Sequence, residues 1–91
     1  MKQIKVLISG RVQGVWYRGW TVEKANELGV KGWVRNLSSG QVEAVFLGED
    51  TQVNALLEAC WSGPQFADVT AVESFADTSD LQDKTVFIQM R

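Results

Sequence analysis

Along residues 2–9 the apolar positions Ile4, Val6 and Ile8 share one parity while Lys5 and Ser9 share the other, the alternation of a strand with one buried face. Leu7 interrupts that alternation, as in a central strand. After a polar stretch, Thr21, Ala25 and Leu28 fall at i, i+4 and i+7, and Gly29 is placed to end a helix in the left-handed conformation. This spacing predicts a first helix over 20–28. The β-rich runs VKGWVRNL (30–37) and QVEAVFLG (41–48) are separated by Ser38, Ser39 and Gly40, which predicts an antiparallel hairpin. Val53, Leu56, Leu57 and Cys60 repeat at i, i+3, i+4 and i+7 and predict a second helix, capped by Asp50 or Thr51 and closed by Gly63 and Pro64. DVTAVESF (68–75) alternates Val69 and Ala71 against Thr70, Val72 and Ser74, and TVFIQM (85–90) follows a polar segment as a final strand.

The resulting order is strand, helix, strand, strand, helix, strand, with a short extra strand at the C-terminus. Two split βαβ units of this kind build an α+β fold, the ferredoxin-like α/β sandwich (βαββαβ), with two helices packed on one face of an antiparallel sheet. Residues 1–91 are expected to form a single domain. That topology supports many unrelated functions, so function has to be read from a site.

Composition narrows the chemistry. The chain of 91 residues is 45% apolar, ordinary for a globular domain, and its one cysteine, Cys60, permits neither an intrachain disulfide nor a cysteine-based zinc cage. Cys60 lies on the apolar stripe of the second helix and is expected in the core. The N-terminus has only a short apolar reach broken by Lys5, too short for a signal sequence or a membrane span, so a cytoplasmic protein without membrane contact is expected. Residues 1–37 hold seven basic and two acidic side chains, net +5, whereas residues 38–91 hold two basic and nine acidic, net -7. An anion is drawn to the N-terminal part. There is no histidine, so any proton transfer must proceed without imidazole.

Between the first strand and the first helix the chain reads GRVQGVWYR, from Gly10 to Arg18, with two glycines, two arginines and no acid. Glycines let successive N–H groups point into one concavity, and a helix beginning near Trp20 would aim its unpaired N–H groups at the same place. A guanidinium such as that of Arg18 gives paired hydrogen bonds to phosphate oxygens. Composition alone leaves two readings open, an anion cradle and an ordinary strand-to-helix turn. Gly14, Gly19 and Thr21 match the spacing of a nucleotide-binding G-x-x-x-x-G-K-[ST] loop, but Trp20 stands at the lysine position, which removes the phosphate-reaching cation.

With GRVQGVWYR, the sequence continues through Thr21, Ala25, LGVKGWVRN, Gly40, VEAVFLG and the Gly63-Pro64 pair, and in these blocks and their separations it resembles the acylphosphatase family over essentially its whole length. The resemblance implies the same ferredoxin-like sandwich and hydrolysis of the carboxyl-phosphate bond of acyl phosphates. It puts the phosphate-binding arginine at Arg18 and the catalytic asparagine at Asn36. By the same resemblance the backbone N–H groups of Gln13, Gly14, Val15, Trp16, Tyr17 and Arg18 form a phosphate-binding cradle. Trp16 is a bulky residue at a position that varies in the family and puts substrate preference in question. Read from the residues alone, Asn36 is a strand-end residue introducing a turn.

Hydrolysis of this kind is mostly positioning and charge stabilisation. An asparagine amide can accept a hydrogen bond from water and aim it, and a carboxylate with a pKa of about 4 leaves without a general acid. No cofactor or metal is expected. The expected partners are a small-molecule acyl phosphate and inorganic phosphate, as product and inhibitor; the protein is expected to be a monomer that binds no nucleic acid. The alternative is a non-catalytic ferredoxin-like anion-binding or regulatory module. An RNA-recognition domain is disfavoured, since GQVEAVFLG lacks that family's aromatic pattern and the C-terminal half is acidic. Arg35 is expected on the strand face opposite Asn36, and Arg11 near the cradle without a catalytic role. Trp33 and Trp61 are expected to pack. Asp77, Asp80 and Asp83 do not fit calcium-loop spacing and read as a polar loop.

Overall fold

The computed structural model describes residues 1–81 and 86–90. Its elements are β1 (Lys2–Arg11), α1 (Tyr17–Leu28), β2 (Lys31–Asn36), β3 (Val42–Gly48), α2 (Asp50–Cys60), β4 (Asp68–Ala76) and β5 (Phe87–Gln89). They form one five-stranded sheet in the order β4-β1-β3-β2-β5. The four long strands pair antiparallel, and two helices pack on the sheet, the ferredoxin-like α+β architecture expected from the periodicities. The short β5 adds parallel to β2, with Val34 opposite Gln89, so the sheet as a whole is mixed. Asp83 and Thr85, expected in the polar segment and the last strand, lie outside the described residues.

The alternation in β1 decides which face carries the helices. Ile4, Val6 and Ile8 are buried, and with Val34, Val42, Ala44 and Phe46 they meet Ala25 of α1 and Val53, Leu56 and Cys60 of α2 in one cluster. Each valine, leucine, isoleucine or phenylalanine among them removed from water stabilises the fold by about 1.5–3 kcal/mol. The core therefore lies between the sheet and both helices, and it fixes the ends of β1, α1 and β2 relative to one another.

Three local readings change. In β4, Val69 and Val72 both pack against the core although strict alternation puts them on opposite faces. A register shift between Ser9 and Gly10 explains this: Ser9 pairs with Ala71 but Gly10 with Val69, so Thr70 is an inserted bulge residue and the parity flips. The N-cap of α2 is Glu49, with no side-chain cap bond, rather than Asp50 or Thr51; Asp50 lies in the first turn, where a carboxylate complements the positive end of the helix dipole. Trp61, at the end of α2, is 50% exposed and does not pack as expected. Trp33 is half-buried on β2, with the Arg35 guanidinium 5.2 Å from its ring centre.

Candidate active site

The turn from β1 to α1 is held by unusual backbone. Trp16 is left-handed (φ 67°, ψ 24°) and is the N-cap of α1, which therefore starts at Tyr17 and not near Trp20. A left-handed tryptophan costs about 1–2 kcal/mol, and apolar periodicity carries no trace of it. The strain is offset by Tyr17, whose ring is buried in the core with its hydroxyl donating to the Cys60 carbonyl. Burial holds the Tyr17 phenol well above its ordinary pKa, so it remains a neutral anchor.

Trp20 is the first amide to reach an intrahelical acceptor, donating to the Trp16 carbonyl at 3.0 Å. The N–H groups of Trp16, Tyr17, Arg18 and Gly19 consequently have no acceptor within the helix. No side chain caps this end and no acidic residue occupies its first turn, so its positive dipole end is not neutralised locally. Just before it, Gly14 is also left-handed (φ 76°), with Val15 between the two left-handed residues. Alternation of this kind turns successive N–H groups toward one concavity. The conformation required at Gly14 is the reason a glycine suits that position.

Gln13 ties the loop to the neighbouring hairpin. Its side-chain amide donates to the Leu37 carbonyl at 2.8 Å and to the Gln41 carbonyl at 2.9 Å. Leu37 follows Asn36, the last residue of β2. Asn36 shares its parity with Val34, which is buried against the helices, and so stands on the face that carries the α1 N-terminus. Arg35 is on the other face, where its guanidinium contacts the Glu43 carboxylate at 2.6 Å.

These elements enclose a pocket of about 150 Å³ lined by Val12, Gln13, Gly14, Trp16, Tyr17, Arg18, Gly19, Asn36 and Gln89. Arg18 and Asn36, which are 18 positions apart in the chain, thus face one cavity. The Arg18 guanidinium is half-buried and braced by donation from Nη1 to the Met90 carbonyl at 3.0 Å. Its remaining N–H donors are not engaged by that bond. None of the lining side chains is a carboxylate, imidazole or thiol. A positively biased, acid-free cavity with a fixed guanidinium, helix-end amides and the neutral side-chain amides of Gln13, Asn36 and Gln89 suits a tetrahedral oxyanion.

Of the residues expected at the site, Gln13, Gly14, Trp16, Tyr17, Arg18 and Asn36 line the pocket. Val15 is buried, which leaves its backbone to shape the loop. Arg11 is exposed at the end of β1 and does not line the cavity. Gln89 and the bracing carbonyl of Met90 escaped sequence reasoning. Their place depends on the parallel pairing of β5 with β2, which no local pattern encodes.

Comparison with known proteins follows the same line. The family model described as Acylphosphatase matches residues 4–88. The chain is 59% identical over 69 residues to the curated acylphosphatase of Rhodospirillum rubrum, covering 76% of each. The crystal structure of acylphosphatase from Bacillus subtilis is similar over 100% of both chains, with a TM-score of 0.92 at 30% identity. The acylphosphatase structure from Coxiella burnetii covers 98% of this chain and 92% of its own, with a TM-score of 0.90 at 39% identity.

Proposed function

The chain belongs to the acylphosphatase family, and from that premise we propose that Arg18 and the amides of residues 13–18 hold the phosphoryl group of an acyl phosphate while Asn36 aims the attacking water. The enzyme hydrolyses acyl phosphates, with a small-molecule acyl phosphate as substrate and phosphate as product. This sets aside a non-catalytic regulatory module.

The observation that carries the residue assignment is the shared cavity, in which the guanidinium, the free helix-end amides and the Asn36 side chain border about 150 Å³. In this reading the phosphoryl oxygens accept from Arg18 and from the loop N–H groups. The Asn36 carbonyl oxygen accepts a hydrogen bond from water, which attacks phosphorus in line with the departing carboxylate. The new bond joins the water oxygen to phosphorus, and the bond from phosphorus to the carboxyl oxygen breaks. The carboxylate leaves with that electron pair, and both protons of the water stay with the phosphate formed. A leaving group with a pKa of about 4 needs no acid, which agrees with a pocket lined by no titrating proton donor near neutrality. Stabilisation of charge by fixed donors supplies most of the acceleration.

Catalysis without a metal belongs to the same proposal, since a carboxylate leaving group departs without further activation. Action in the cytoplasm as a monomer, without nucleic-acid or membrane partners, completes the proposal. The acidic C-terminal half argues for the absence of nucleic acid, and no described helix is long and apolar enough to cross a membrane.

Asn36→Ala tests the water-positioning role. The expected result is a fall in kcat of about 10²–10³-fold, with the inhibition constant of inorganic phosphate changed little. Weakened phosphate binding with kcat retained would contradict the role.

A further inference from the structure

Two irregularities in the loop and helix meet at one place. Trp16 is the only left-handed non-glycine residue among those described, and it keeps 58% of its surface exposed at the mouth of the pocket. Gly19 has ordinary helical backbone, so its conformation does not call for glycine. Its reason is contact: a Cβ built on Gly19 would come within 2.0 Å of the Trp16 indole Nε1 and 2.6 Å of Cδ1. The indole lies directly against the bare Gly19 backbone and is braced there.

On the reading that Arg18 and the loop hold the phosphoryl group, we infer that Trp16 is the contact for the acyl group, an apolar rim that favours substrates with a flat, apolar acyl portion. A cavity of about 150 Å³ is smaller than the roughly 300–1,000 Å³ that encloses a drug-sized ligand. A phosphoryl group seated among the donors leaves little room, and a bulky acyl group has to lie across the rim. The other apolar side chains lining the cavity, Val12 and Tyr17, are each only 1% exposed and offer no such surface. Trp16 does, and its fixed backbone together with Gly19 limits the freedom an aromatic substrate would have to remove on binding.

The test compares kcat/KM for benzoyl phosphate and acetyl phosphate in the wild type, Trp16→Gly and Gly19→Ala, with inhibition by inorganic phosphate measured in the same proteins. Glycine accepts the left-handed conformation at 16 and alanine suits a helix at 19, so both variants keep backbone that can fold. The benzoyl-to-acetyl ratio of kcat/KM is expected to fall about tenfold in Trp16→Gly, the size of one good aromatic contact. It is expected to fall in Gly19→Ala as well, because the added methyl displaces the indole. Any damage to shared phosphoryl contacts cancels in this ratio and appears instead in the phosphate inhibition constant. An unchanged ratio in Trp16→Gly overturns the inference, and a ratio lowered there but not in Gly19→Ala overturns the bracing role of Gly19. Absence of competitive inhibition by phosphate in the wild type would defeat the phosphoryl reading separately.

Discussion

The side-chain amide of Gln13 donates to the carbonyl of Leu37 at 2.8 Å, which fastens the loop between β1 and α1 to the residue immediately after Asn36. The same amide reaches the Gln41 carbonyl across the hairpin, and Leu37 and Gln41 are themselves joined by a backbone bond of 2.9 Å. The loop that leads into Arg18 and the strand end that bears Asn36 are therefore linked through one neutral side chain.

Removing that link should loosen both sides together. Gln13→Ala is expected to lower stability by about 1–2 kcal/mol, read as a lower Tm, because two carbonyls lose a donor. It should also lower kcat by more than it weakens inhibition by inorganic phosphate, since under the proposed roles the Asn36 side, which aims the water, moves relative to the Arg18 side. Unchanged Tm and kcat would show that the loop and the hairpin are held by other contacts.

The buried thiol makes a different prediction. Desolvation in the core pushes the Cys60 thiol from 9.0 up to about 12, against the lowering effect of its Tyr17 neighbour. The unfolded chain gives up this proton near pH 9, whereas the fold keeps it until about 12. The stability contribution is therefore complete below about pH 9 and is lost as pH rises toward about 12. Wild-type Tm is expected to fall more steeply over that interval than the Tm of Cys60→Ala, and at pH 8 the native thiol should resist Ellman's reagent. Parallel pH profiles with a readily labelled native thiol would contradict this.

The fold was legible where side-chain period and burial agree. Ile4, Val6 and Ile8 mark the inner face of β1, and Thr21 and Ala25 mark the inner face of α1. It was illegible where backbone irregularity resets the count, as at the Thr70 bulge that brings Val69 and Val72 to one face, or at Trp16, whose left-handed turn starts the helix at Tyr17. Arg18 stood out by its acid-free loop. Asn36 did not: by itself it reads as a turn residue, and only the resemblance to the acylphosphatase family raised it. Its parity with Val34 supplies the physical reason, because the buried face of β2 ends beside the α1 N-terminus. Met90 was invisible for another reason, since its contact with Arg18 spans 72 positions and depends on the pairing of a three-residue strand.

The most direct measurement of the central claim is kcat/KM for benzoyl phosphate in Arg18→Ala, with a chelator present and Arg35→Ala as the control. Arg35 carries the same charge but faces the opposite side of β2, against Glu43, so its removal should leave turnover close to wild type. Loss of the Arg18 contact with the phosphoryl group, about 4 kcal/mol at an intermediate effective dielectric, should lower kcat/KM about a thousandfold. Near wild-type turnover in Arg18→Ala would contradict the assignment of Arg18 as the residue that holds the phosphoryl group.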